Sequence, residues 1–516
     1  VITPSDFDLP TKFKEFRPSQ LQLAAKIASS TKYAFLLDGP TGTGKSLIAA
    51  TAQRIYGKGI VYLCTTKQLQ QQILDDFPYA KTLKGRNNYV CLKYPKLFPQ
   101  VSAEECTHDE GNPCQHISEC PYKVAKAEAL SAPLAVLNAA YFLSESNYVG
   151  GFTKVGFLVV DEFDSIESQL MNFIELRITK RQLDRYHIPP PKFKTKADAW
   201  RDWAKETLSS LTPKLAALEA ASESDQWGGV DFKTLREAKW LEKLVAKLKY
   251  FIREVDDTWV PYFGEDAWAF KPTWVARYAN QVLWDHADKV LGMSATILNP
   301  RQVCLNTGLV SKTGRTYDYI QMKSPFPKEN RPIYYEPHAN VINKEMDKAL
   351  PGLAAGVKQI IDKYPDDRIL VHTVSYKVRD YLIRNLRSRR VITHSTSDRA
   401  AVLERFKASK EPLVLLSPSM DRGVDLPDNE CRVVVIAKVP YPDLSDPQIS
   451  KRVYGSKDGN EWYAHKTVST IVQMTGRACR SITDHADSYI LDSQFQKLFE
   501  EHKFMFPSWW REAVIM

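Results

Sequence analysis

The stretch YAFLLDGPTGTGKSLI, residues 33–48, constrains this chain more than any other. A short apolar run, Tyr33 to Leu37, leads into Gly39, then four residues, then Gly44-Lys45-Ser46 and a helix-like run. That order reads as strand, glycine-rich loop, helix. Gly39, Gly42 and Gly44, with Thr41 and Thr43 between them, let successive backbone N–H groups curl around phosphates. The helix N-terminus adds partial positive charge at the same point. Lys45 is expected to reach the β- and γ-phosphates of ATP, and Ser46 to ligate Mg²⁺.

Such a loop needs a carboxylate at the exit of a neighbouring strand. FLVVDEFD, residues 157–164, supplies one. Four apolar residues form a buried strand, with Asp161 and Glu162 at its end. Asp161 is expected to hold Mg²⁺ through water, and Glu162 to orient and deprotonate the attacking water. Three further stretches follow in order. KVLGMSATIL (289–298) is a strand ending in Ser294-Ala295-Thr296. LVLLSPSMDRGVDLP (413–427) is a strand followed by a turn carrying Gly423 and Asp425. QMTGRACR (473–480) carries Gln473, Arg477 and Arg480.

At 516 residues the chain is too long for a single core, and three or four domains are expected. The net charge of +9 suits a polyanionic partner. No apolar run approaches the roughly 20 residues of a membrane span, so no membrane partner is expected. The acidic start, VITPSDFDLP, lacks the basic-then-apolar order of a secretion signal. A reducing compartment is therefore expected: cytoplasmic, beside the nucleoid, or a host cytoplasm for a viral protein, with a nuclear location left open.

Against that expectation, four of the eight cysteines crowd into NYVCLKYPKLFPQVSAEECTHDEGNPCQHISEC, residues 88–120. They are Cys91, Cys106, Cys114 and Cys120. Disulfides are disfavoured in a reducing compartment. Zinc is one reading, with His108 and His116 nearby. An iron–sulfur cluster on four thiolates is the other. The intervening 14, 7 and 5 residues lack the paired short spacing of most zinc sites, yet spacing alone leaves both open.

The ordered set of motifs resembles the superfamily 2 helicases, and the cysteine window narrows this to the XPD/DinG family. KGRNNYVC matches that family's cluster entry at Lys84, Gly85, Arg86, Asn88, Tyr89 and Cys91. Asn138 to Phe142 approximate its exit motif. FRPSQLQLA (16–24), with Arg17 and Gln20, resembles its opening beside the nucleotide base. CTTKQLQQQI (64–73) resembles its motif Ia, and SPFPKENRP (324–332) the start of its second lobe. There are departures: Phe163-Asp164 stands where the family has Ala-His, Arg422 where it has Glu, and Ala139 where it has His.

The resemblance implies an α/β fold with two RecA-like P-loop motor lobes, and in the first lobe an iron–sulfur insert and a helical Arch-like insert. The expected divisions are 1–84 with 126–171 and 281–300 for the first lobe, 85–125 for the cluster insert, 172–280 for the Arch-like insert, and 301–516 for the second lobe. It implies that Arg477 and Arg480 face phosphates held by the first lobe, and that Cys91, Cys106, Cys114 and Cys120 hold a [4Fe–4S] cluster, with zinc second. It implies a monomeric ATP-dependent helicase moving 5′→3′ on single-stranded DNA and splitting forked duplex, with RNA–DNA hybrids as a further substrate class. Thr65, Thr66 and Arg86 are the expected DNA contacts. The alternatives are a translocase that strips proteins without strong unwinding, and a nucleotide-gated clamp. Eight of eleven tryptophans fall between Trp200 and Trp284. The expectation is that they form the insert's core rather than a base-stacking platform.

Overall fold

A computed structural model describes residues 2–106, 113–223, 231–420 and 424–516. Strands Ala34–Asp38, Ile60–Cys64 and Phe157–Asp161 are buried at every position. Unbroken burial of that kind suits parallel strands covered on both faces. They join Leu134–Asn138, Lys81–Leu83, Val290–Ser294 and Tyr317–Gln321 in a seven-stranded parallel sheet. In spatial order the strands begin at residues 317, 34, 290, 157, 60, 134 and 81. Because all run the same way, Gly39, Thr65, Asp161 and Ser294 lie at one edge. That is where open α/β sheets place their ligands.

A second seven-stranded parallel sheet begins, in spatial order, at residues 391, 414, 369, 433, 487, 333 and 514. The division between the lobes falls later than residue 301. Strand Tyr317–Gln321 hydrogen-bonds beside Ala34–Asp38, on the first sheet's edge. Its sequence, YDYIQ, has neither a strict alternation nor an apolar run and is only partly buried, so no pattern announces it.

Between the lobes' motifs lies the insert. Helices Ala197–Glu223 and Phe232–Glu254 pack against each other as a hairpin. Beneath them is a three-stranded antiparallel sheet, Leu176–Thr179, Ala267–Pro272 and Trp259–Phe263, which the helical expectation for 172–280 did not contain. These strands are only four to six residues long, and short alternating runs beside long helices are hard to separate from loop. Trp200, Trp203, Trp259 and Trp284 are buried, and Trp200, Trp203 and Trp259 share a cluster with Phe251 and Phe270. They are core, whereas Trp240 is exposed and Trp227 lies outside the described residues.

From Arg86 to Cys120, the described residues contain only one-turn 3₁₀ helices. The segment is held by an antiparallel bridge between Val90 and Ser102, and by Ser102 capping a turn with Glu105. The Tyr94 ring also meets Phe232 of the insert hairpin edge-on at 4.9 Å. No helix among the described residues is long and apolar enough to cross a membrane.

Candidate active site

The glycine-rich loop is built as its sequence requires. Gly42 and Gly44 have φ of 82° and 73°, a region where a side chain is strained. A Cβ on Gly42 would also stand 2.2 Å from the Phe326 ring, which seats against the loop from the inter-lobe segment. Thr43 Oγ1 donates to Pro40 O at 2.8 Å, and Lys45 Nζ to Gly39 O at 2.8 Å. Gln20 Nε2 donates to Thr43 O at 2.8 Å and its Oε1 accepts from Arg17 N at 2.8 Å; the Arg17 guanidinium donates to Gly42 O. Arg17 and Gln20 thus brace the loop's backbone.

Behind Lys45, a chain of hydroxyls joins the two expected Mg²⁺ ligands. Ser46 Oγ lies 3.4 Å from Tyr62 OH, which donates to Asp161 Oδ2 at 2.9 Å. Sequence reasoning missed Tyr62. The one signal was a lone hydroxyl in the otherwise apolar strand IVYLC, and such a tyrosine usually reads as core. Burial raises the Asp161 carboxyl above its ordinary range, opposed by the Lys45 ammonium and the Tyr62 bond. Burial also raises Glu162, reinforced by the like charges of Asp164 and Asp161 and opposed by Lys45 and Arg477. A carboxylate raised in this way is a better proton acceptor. Glu162 takes φ of 49°, and its N–H donates to Asp161 Oδ1 at 2.9 Å. The turn therefore presents the two carboxylates separately.

Asp164 answers the question raised by the missing histidine. Its buried carboxylate accepts from Ser294 Oγ at 2.6 Å and from Gln473 Nε2 of the second lobe at 2.7 Å. Gln473 Nε2 also donates to Thr296 Oγ1 at 3.0 Å. Asp-Glu turn, Ser-Ala-Thr turn and second lobe thus meet on one carboxylate. Phe163 fits because the facing residue is Gly292: a Cβ there would stand 2.6 Å from the Phe163 ring. Asp164→Asn would turn an amide N–H₂ toward one of these donors. A buried donor left unmatched costs about 1–3 kcal/mol, so ATP turnover is expected to fall about tenfold or more with nucleotide affinity little changed. Steady-state kinetics beside a nucleotide-binding titration checks this.

The second lobe completes the site. Helix Gly459–Thr475 delivers Gln473. Arg477 follows, its Nη1 donating to Val424 O at 3.0 Å. Arg480 ion-pairs with Asp425, two expected site residues engaging each other, and its N–H donates to Asp484 at 2.9 Å. Gly423 lies outside the described residues. Thr41, Gly42, Gly44, Lys45, Ser46, Asp161, Glu162, Gln473, Arg477 and Arg480 line one cavity of about 1240 Å³ between the lobes, as does Arg17. Gly39, Thr43 and Gln20 stand behind its wall.

Two of the expected DNA contacts have structural work. Thr66 Oγ1 caps helix Lys67–Asp76 by accepting from Leu69 N at 3.2 Å. The Arg86 guanidinium lies over the Tyr122 ring at 5.1 Å. Below it, Tyr122 meets Tyr141 at 3.1 Å, and Tyr141 donates to Glu145 at 3.0 Å. Thr65 and Thr66 open onto the inter-lobe cavity.

Cys64, Cys304, Cys431 and Cys479 are buried, whereas Cys91, Cys106, Cys114 and Cys120 are half-buried. Cys106 ends a 3₁₀ turn and Cys120 precedes helix Pro121–Ser131. His116 N donates to Cys114 Sγ at 3.5 Å, and Lys239 of the insert hairpin donates to Cys106 O at 2.9 Å. Among the described residues no three His, Cys, Asp or Glu side chains are gathered closely enough to hold a metal ion. His108 lies outside them.

Residues 17–193 match the sequence model of the DEAD/DEAH box helicases, and residues 357–513 that of the helicase C-terminal domain. A probable ATP-dependent helicase of Methanocaldococcus jannaschii is 21% identical over 94% of this chain and 92% of its own length. The ATP-dependent DNA helicase YoaA of Haemophilus influenzae matches at 21% identity over the same shares. In fold, the chain resembles an XPD helicase with a TM-score of 0.66 at 16% identity, covering 95% of this chain and 98% of that one. It also resembles Xpd4 of S. tokodaii, with a TM-score of 0.60 at 16% identity, covering 96% and 99%.

Proposed function

We propose, this chain being an XPD/DinG-like superfamily 2 helicase, that it uses ATP hydrolysis to move along single-stranded DNA in the 5′→3′ direction and to part forked duplex. The observation that carries the reading is the shared cavity. Lys45, Asp161 and Glu162 of one lobe face Gln473 and Arg477 of the other, and Asp164 bonds directly across the seam. Hydrolysis in such a site depends on both lobes, so it can drive their relative movement.

The geometry supports the following roles. Lys45 reaches from the loop to the β- and γ-phosphates. Ser46 and Asp161 offer the hard oxygen donors Mg²⁺ prefers. Glu162 takes a proton from the attacking water, and Arg477 meets charge developing on the γ-phosphoryl oxygens. Arg480 acts with Asp425, fixing the turn beside the cavity. The groove by Thr65 and Thr66 and the basic character of the chain support a nucleic-acid path.

Donor chemistry supports an iron–sulfur cluster on the cysteine segment: four half-buried cysteines lie in one stretch without regular core, although the described residues do not gather three of them at one point. Cys91, Cys106, Cys114 and Cys120 would hold it, with zinc as the other ion such donors accept. Bound there, it would cross-link a segment too poor in apolar residues to fold firmly alone. The test is ATP hydrolysis with and without single-stranded DNA, beside iron and sulfide analysis of anaerobically purified protein. DNA-stimulated hydrolysis and about four irons per chain are expected. Hydrolysis indifferent to DNA, or one zinc per chain, would overturn the corresponding half of the reading.

A further inference from the structure

Helix Pro447–Gly455 of the second lobe packs beside helix Gly459–Thr475 and also reaches the insert's small sheet. Lys451 Nζ donates to Asp257 O at 2.6 Å, Gln448 Nε2 to Pro272 O at 2.5 Å, and Lys271 pairs with Asp446 at 3.1 Å. At the centre of this contact is Arg452, only 5% exposed. Its guanidinium lies 4.6 Å from the centroids of the Trp274 and Trp462 rings, which stand nearly perpendicular to each other. Nε donates to Thr273 O at 2.5 Å, and Nη1 to Glu167 Oε1 at 2.7 Å. Lys466 Nζ completes the group, 2.9 Å from Glu167 Oε2.

Three parts of the molecule converge there. Glu167 lies on helix Ile166–Ile174, directly after the Asp-Glu turn of the first lobe. Thr273 and Trp274 follow strand Ala267–Pro272, where the chain returns from the insert. Trp462 and Lys466 share a helix with the catalytic-site residue Gln473. A planar guanidinium set in the corner of two nearly perpendicular indole rings and bonded at its edge is fixed in orientation, which lysine cannot reproduce. Burial works to raise the Glu167 carboxyl, yet Lys466 and Arg452 hold it down at about 2. Losing either partner of such a pair strands a buried charge, so the joint is made or broken rather than stretched.

We propose that Arg452 is a positioning residue, the joint through which nucleotide-driven movement of the second lobe is passed to the helical insert. The inference rests on the ATP-driven reading above. When helix Gly459–Thr475 moves with Gln473, Trp462 and Arg452 move with it. Thr273 and Trp274 then carry the displacement into the sheet beneath the hairpin. Arg452 and Glu167 also line the inter-lobe cavity, but neither is among the residues proposed to hold the nucleotide or activate water.

The test is a pair of distance measurements on full-length protein, using reactive non-natural amino acids in place of exposed surface lysines. One pair spans Lys58 and Lys358, lobe to lobe. The other spans Lys58 and Lys205, lobe to hairpin. In wild type, Mg²⁺ with a non-hydrolysable ATP analogue is expected to change both distances. Arg452→Met, which keeps the stem's volume, and Glu167→Gln, which keeps shape, are expected to retain the first change and lose the second. Unwinding falls about tenfold or more in both, while DNA-stimulated ATP hydrolysis stays within about twofold of wild type. A hairpin response intact in both variants would overturn the proposal. So would its loss together with lobe closure, which would mark a merely structural pair. A wild-type protein whose lobes ignore the nucleotide would instead count against the ATP-driven reading itself.

Discussion

Glu162→Gln is expected to lower ATP turnover by about 10²–10⁴-fold while leaving Mg²⁺–ATP bound. The substitution keeps the side chain's shape and removes only its capacity to accept a proton. Lys45, Ser46 and Asp161 remain to hold the nucleotide, so a fluorescent analogue should bind the variant as it binds wild type. The same residue sets the acid limb of the pH profile. Glu162 must be ionised to act, and burial with its like-charged neighbours raises its pKa above the ordinary 4.5. Turnover in wild type should therefore fall as pH drops through a value above 4.5, and Glu162→Gln should lose that limb. A variant with near wild-type turnover would remove Glu162 from the chemistry.

Cys114→Ser or Cys120→Ser is expected to bleach visible absorbance and to reduce unwinding to about a hundredth of wild type or less. DNA-independent ATP hydrolysis should survive better, because the cleft between the sheets uses none of these thiols. Among the described residues from Arg86 to Cys120, order rests on the Val90–Ser102 bridge, a few buried residues near Ala103, and contacts of Tyr94, Glu104, Glu105 and Cys106 with the insert hairpin. A metal that cross-links four of its points would supply order that apolar burial does not. Unwinding at the wild-type rate after the metal is lost would show that the cluster is dispensable to the segment's role.

The parts legible in the sequence are those where chemistry dictates residue type at a fixed place. Phosphate binding demands glycines at positive φ followed by Lys45, and water activation demands a carboxylate at a strand exit. Fully buried parallel strands such as FLVVD announce themselves as apolar runs. What stayed hidden depends on contacts distant in sequence. Tyr62 reads as core until the fold sets it between Ser46 and Asp161. Asp164 reads as a departure from the family pattern until Gln473, more than three hundred residues later, is found bonded to it. The edge strand Tyr317–Gln321 and the insert's three short strands carry alternating or brief patterns that do not separate strand from loop. Arg452 gave no signal, because its meaning lies in two tryptophans and a glutamate drawn from different parts of the chain.

The central claim is that this cleft turns ATP hydrolysis into strand separation. The most direct measurement is unwinding of forked DNA carrying a 5′ or a 3′ single-stranded tail, by wild type and by Lys45→Ala at equal concentration. ATP-dependent unwinding of the 5′-tailed fork by wild type, and none by the variant, is expected. Equal unwinding by Lys45→Ala, or no strand separation by wild type despite rapid ATP hydrolysis, would contradict it.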